Sequence, residues 1–147
     1  MTSKKCLLVL VILGLFALSG CKEPKIKGLV PVRGTVTFNG EPLEGATVGF
    51  TLKEFKTGDR LATGKTDSKG AFELRTIGEP GILPGEYVVV LIKNEAIPGN
   101  QTSPKGRPAP AKIESLIPKR YGDPKTTDLY VVVENNGIRD LRLAIVN

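Results

Sequence analysis

The 147-residue chain has no histidine and no tryptophan, and only one methionine and two cysteines. Without histidine there is no Ser-His-Asp triad, no imidazole acid or base near neutral pH, and no histidine-ligated zinc. Long uninterrupted helices are not expected either: 17 Gly and 11 Pro make 28 of the 147 residues, and both residue types break helices. What remains suits a folded body. Hydrophobic residues make up 40% and charged residues 24%, a globular balance, and the length fits about one domain.

One apolar run stands out. Cys6 to Leu18 (CLLVLVILGLFAL) carries no charge over 13 residues and follows Lys4 and Lys5. As a helix it would span about 20 Å, short of the ~30 Å hydrocarbon core. It therefore reads as the apolar helix of a secretory signal over residues 1–20, in preference to a membrane span or a buried core helix.

The run ends in Leu18-Ser19-Gly20-Cys21. This resembles the bacterial lipobox, which implies cleavage between Gly20 and Cys21 and a diacylglycerol, with palmitate-type chains, on the Cys21 thiol. An ordinary signal followed by a chance cysteine is the alternative. Lys22 after the cysteine favours the outer membrane if the cell has two. Two or more acyl chains anchor stably where one is marginal. Cys6 leaves with the signal, so the mature chain keeps no free thiol, disulfide or Cys metal site. Residues 21–28 then form the lipidated cysteine and a short tether, which reaches at most about 25 Å. Residues 29–147 are the body.

Removing Lys4 and Lys5 from the 21 basic residues leaves 19 against 15 acidic ones from Cys21 onward, a net +4. Seven of the basic residues lie between Lys93 and Lys125, with only Glu95, Glu114 and Asp123 opposing them. The rest is neutral. Lys105, Arg107, Lys112, Lys119, Arg120 and Lys125 therefore form a candidate contact surface for an anionic partner, such as lipid headgroups, an acidic wall polymer or an envelope protein. A solvated loop without a specific partner is the bland alternative. Only Tyr87 and Tyr121 flank or interrupt the stretch, so a base-stacking nucleic-acid surface is not indicated.

The body alternates like a β protein. Val30 to Phe38 places Val30, Val32, Val36 and Phe38 on one face, and Ala46 to Lys53 does the same with Ala46, Val48, Phe50 and Leu52. Arg60 to Thr66 and the Phe72/Leu74 segment flank Asp67-Ser68-Lys69-Gly70, which predicts a hairpin about that turn. Tyr87 to Ile92 is apolar on both faces and predicts a central strand. Asn94 to Pro110 reads as a long irregular loop, and Lys112 to Tyr121 as one short helix broken by Pro118. Leu129 to Val133 and Leu141 to Val146 close the chain, with a bulge expected near Arg139-Asp140 because Ile138 is out of phase. Seven strands at this spacing predict an all-β, two-sheet sandwich.

Val32 to Gly40 (VRGTVTFNG), Pro42-Leu43, Gly45 to Val48, Thr66 to Gly70 with Phe72 and Leu74, and Pro84 to Tyr87 resemble the carboxypeptidase regulatory-like domain. Ile117 to Tyr121 (IPKRY) and Leu129 to Val133 resemble the closing part of its small-lipoprotein variety. The resemblance covers residues 29–147. It implies a transthyretin-like, Ig-like Greek key of seven strands, and it implies fold more than function. One enzyme of that fold, 5-hydroxyisourate hydrolase, uses histidines and a C-terminal Tyr-Arg-Gly-Ser. This chain has no histidine and ends Ala-Ile-Val-Asn.

No other catalytic or metal pattern emerges. Glu54, Asp59, Asp67 and Glu73 fit no calcium-loop spacing, and Asp67 reads as a turn residue. Ser68, Ser103 and Ser115 have no evident base. The expectation is a non-enzymatic module without metal or cofactor, extracytoplasmic and lipid-anchored, that binds or supports another envelope component. Carbohydrate or protein recognition, as an accessory subunit of an envelope enzyme, is the second reading.

Overall fold

The computed structural model describes residues 26–54, 60–97 and 111–147. The signal segment, Gly20, Cys21, Asp59, Ser103, Lys105 and Arg107 lie outside the described residues. The strands run β1 (Val32–Phe38), β2 (Glu41–Pro42), β3 (Thr47–Leu52), β4 (Ala62–Lys65), β5 (Ala71–Glu73), β6 (Arg75–Thr76), β7 (Glu79–Pro80), β8 (Gly85–Ile92), β9 (Asn94–Ile97) and β10 (Lys112–Ser115), then β11 (Tyr130–Val133) and β12 (Ile138–Ile145). The fold is all-β. One helical element is described, a 3-10 turn at Lys119–Gly122, and no helix among the described residues is long and apolar enough to cross a membrane.

Two sheets share one core. The first holds β12, β1 and, along the other side of β1, β2 and β5; the second runs β11-β8-β3-β4-β6-β7. Alternation decides which side chains meet between them. From the first sheet come Val32, Val36, Phe72, Leu143 and Ile145, and from the second Val48, Phe50, Ala62, Tyr87, Val89, Leu91 and Val133. β8 is central, between β3 and β11, and buries Val88 on its other face as well. The three buried threonines all have partners. Thr66 Oγ1 accepts from Ala46 N at 2.8 Å, Thr76 Oγ1 donates to Gly81 O at 2.8 Å, and Thr127 Oγ1 donates to Val89 O at 3.0 Å.

β1 lies parallel to β12, with Val32 opposite Ile138 and Phe38 opposite Ile145. Between Val32 and Gly34 the partner register advances from Ile138 to Leu141. β12 therefore carries one extra residue at Arg139-Asp140, the bulge its phase requires. The bulge also explains Gly34. A Cβ there would sit 2.2 Å from the Leu141 carbonyl oxygen, against backbone that cannot swing away.

Twelve strands are described, several of only two to four residues, and two expectations need correction. β4 and β5 do not form a ladder about the Asp67 turn. β5 pairs with β1, and β4 pairs with β3 and β6. The returning segment 71–76 is split at Leu74, which is fully buried and whose N–H donates to Val32 O at 3.0 Å. Its first half joins one sheet and its second half the other. Nor is Asn94 to Ile97 irregular: it is β9, paired with β10, so Lys112 to Ser115 is strand and only Lys119 to Gly122 is helical. Cross-strand backbone pairing supplies what these polar residues lack in apolar alternation.

Two tight hairpin turns contrast. Asn39-Gly40 joins β1 to β2 with φ of 51° and 88°, which Asn and Gly adopt cheaply. Ile77-Gly78 joins β6 to β7 with φ of 48° and 79°, and a β-branched residue there is strained. Ile77 is also 61% exposed, so burial within the body does not offset the strain.

Two stability outcomes follow. Gly34→Ala lowers the unfolding free energy by about 2 kcal/mol, within the range of overpacked sites. Ile77→Asn raises it by about 1 kcal/mol by relieving left-handed strain. Urea denaturation curves of the two variants check both.

Candidate functional site

The strand directions give the sandwich two poles. At one, the described chain begins at Ile26, Val30 bridges to Ile82, and the β6–β7 turn and the 134–137 turn lie alongside. At the other, β1 ends at Phe38, and Asn39 N donates to Ile145 O while Asn147 N donates to Asn39 Oδ1. From Val30 to Asn39 the strand rise gives roughly 30 Å between poles.

The second pole carries the candidate basic residues that the structure describes. β8 leaves its sheet at Ile92, and Lys93 O accepts from Leu116 N at 2.8 Å. β9 and β10 then form an exposed ribbon. Glu95 faces Glu114 across it, a like-charge pair that weakens the ribbon. Ala96 and Ile113 form the next pair, and Ile113 is 71% exposed.

After the ribbon the chain plugs the pole. Ile117 and Tyr121 turn inward and are buried, while Lys119 and Arg120 turn outward. Pro118 starts the 3-10 turn with φ −54° and ψ 131°. The Tyr121 hydroxyl donates to Val146 O at 3.1 Å and accepts from Val146 N at 3.3 Å. Arg120 Nη2 donates to the same hydroxyl at 2.9 Å and to Val146 O at 2.8 Å, and its guanidinium lies 4.6 Å from the Tyr121 ring centre. Asp123 ends the turn, its Oδ1 accepting from Lys125 N at 2.9 Å.

A groove of about 460 Å³ separates ribbon from turn, lined by Ile92, Asn94, Ile113, Ser115, Lys119 and Asp123 among others. It offers mixed apolar and polar contact and no aromatic face for a sugar. The predicted basic residues do not converge on it. Lys119 lines it, whereas Lys112 neighbours Ile113 on a strand and so points to the opposite face of the ribbon. Lys125 lies in the following turn. Lys112, Lys119 and Lys125 are exposed and make no ion pair among the described residues. Arg120 is committed to the chain end.

The remaining candidates resolve into structural roles. Asp67 Oδ1 accepts from Lys69 N and Ala71 N, both at 2.9 Å, as a turn residue does. Glu73 pairs with Arg33 at 2.7 Å across β5 and β1. Ser115 Oγ donates to Ile117 O at 2.8 Å. Sequence reasoning missed the ribbon and the groove. The signal available was Ile113 between Lys112 and Glu114, a strand-like alternation too short to stand out.

Neither a family model nor a curated protein matches the chain. Among solved structures it is similar to a 9R-lipoxygenase from Cyanothece PCC8801, with TM-score 0.41 and 14% identity, over 98% of this chain and 20% of that one. The chain thus spans about a fifth of the lipoxygenase, and a likeness this weak informs neither fold nor chemistry.

The three bonds at the Tyr121 hydroxyl make a test. Tyr121→Phe costs about 1–2 kcal/mol of stability and loosens the C-terminal residues. Denaturation measures the first effect, and hydrogen exchange at Val146 the second.

Proposed function

We propose that this protein is an extracytoplasmic lipoprotein, cut after Gly20 and acylated at Cys21, whose body is a non-enzymatic binding module. The body is a transthyretin-like seven-stranded Greek key, decorated by short strands. The three-and-four sorting of the long runs between two sheets supports that reading: β1, β5 and β12 in one, β3, β4, β8 and β11 in the other.

One observation carries the functional reading. The described chain starts at one pole, and Lys112, Lys119 and Lys125 occupy the other. An acyl anchor on Cys21 holds the first pole near its membrane and turns the pole that carries these lysines, unpaired among the described residues, away from it. The partner of those cations is then an anionic component facing the membrane, an acidic wall polymer or an acidic protein surface. The groove favours a second reading, protein recognition as an accessory subunit, because exposed Ile92 and Ile113 line it.

The experiment has two readouts. Mass spectrometry of the N-terminal peptide from cells yields a diacylated Cys21, and Cys21→Ser leaves the protein unprocessed. With the anchor intact, the triple change Lys112→Glu, Lys119→Glu and Lys125→Glu abolishes salt-sensitive crosslinking to wall polymer or to an acidic neighbour. An unmodified Cys21, or undiminished crosslinking, overturns the corresponding half.

A further inference from the structure

The pole where the chain enters also exposes apolar side chains that the fold does not need. Leu61 precedes β4 and Ile77 follows β6 at the strand ends where Ala62 faces Thr76. Ile77 lines a groove with the exposed Thr63 and Arg75 on the outer face of the sheet, and Leu61 neighbours the inward-facing Ala62. Leu61 is 52% exposed and Ile77 61%. Leu83, 43% exposed, lies beside the entering chain, where a Cβ at Gly28 would meet its Cδ2 at 3.6 Å.

Ile77 is the informative member. Its left-handed backbone would be relieved by Asn or Gly, and its side chain stays 61% exposed on the wall of a shallow groove shared with Thr63 and Arg75. Arg75 Nη1 donates to Gly78 O at 3.1 Å and holds the turn in place. A strained, braced turn that displays a branched apolar side chain is a contact device.

We infer that Ile77, with Leu61 and Leu83, seats this pole in the interfacial layer of the bilayer that holds the anchor. The occupant follows from chain length, and the inference rests on the proposed acylation of Cys21. From Cys21 to Ile26 the chain reaches at most about 17 Å, so the first large surface this pole meets is the membrane. Charge does not drive the contact. Among the described residues at this pole, Lys27, Lys53, Arg60 and Arg75 are balanced by Glu54, Glu79, Glu86 and Glu134, and Lys53 already pairs with Glu86 at 3.3 Å. Seating is therefore apolar and insensitive to salt, unlike the contact at the cationic pole.

The test uses the full chain, processed in a lipidating bacterial host and reconstituted in phosphatidylcholine vesicles. An acylated Cys21 has no free thiol, so Ile77→Cys or Lys119→Cys supplies the single site for an environment-sensitive fluorophore. The label at position 77 is expected to shift to the blue and to be quenched by brominated lipid, equally in low and high salt, while the label at 119 stays aqueous. Leu83→Cys serves as a second probe should the first disturb the turn. Unlabelled Ile77→Asn, with the probe at 83, is expected to lose most of the blue shift although the fold is more stable. Aqueous emission at both 77 and 83, with Cys21 acylated, overturns this inference alone. A reactive thiol at Cys21 in the parent chain overturns the anchor on which it rests.

Discussion

The parallel alignment of the first strand with the last sets the geometry on which everything else depends. Because Val32–Phe38 and Ile138–Ile145 run the same way, both start at one pole and both end at the other. The pairing separates the beginning of the folded chain from its end by the height of the sandwich. An antiparallel closure would have brought the C-terminus, and the Arg120–Tyr121 plug bonded to it, back beside the tether. The alignment is held by the bulge at Arg139-Asp140, which accommodates a one-residue mismatch, and by Gly34, whose missing side chain lets the Leu141 carbonyl approach.

The second constraint is the transfer of one short segment between sheets. Residues 71–76 pair first with β1 and then with β4, and Leu74 at the crossing point is fully buried. A strand that belongs to both layers ties them together without a disulfide, which suits a mature chain whose one cysteine is expected to carry lipid. The buried threonines each bond a backbone group, and no buried side-chain polar atom among the described residues lacks a partner.

Much of this was legible in the residues. Period-two alternation at Val32/Val36, Val48/Phe50 and Phe72/Leu74 marked the core faces, because one buried sheet face leaves that imprint. Phase alone exposed the bulge before any register was known. What stayed hidden was non-local. No local pattern reveals that Phe72 pairs with β1 and Arg75 with β4, since both look like one strand to a short window. The ribbon was masked by its polarity, because β9 and β10 are exposed on both faces and leave only the brief alternation around Ile113. The cationic cluster was legible as composition but not as geometry, for Arg120 proved to be a structural tie and Lys112 and Lys119 to point apart. Ile77 was unreadable as anything but loop until its φ was known.

The distances decide how far the poles can act independently. Electrostatic attraction fades over a Debye length of about 8 Å at physiological salt, and the poles stand roughly 30 Å apart. In the proposed membrane-anchored arrangement, headgroups beneath the first pole are thus screened from Lys112, Lys119 and Lys125 whenever the body stands upright. Inversion of an anchored body is barred by length, since the stretch from Cys21 to Ile26, at most about 17 Å, cannot hold the first pole a full body height above the lipid. Only a sideways posture would bring the cations to the membrane, and an apolar seat at Ile77, Leu61 and Leu83 works against it by holding the first pole down. The strain at Ile77 thereby acquires a purpose in the proposed arrangement: a short tether fixes how far the domain can stray, and the apolar seat fixes which way it faces.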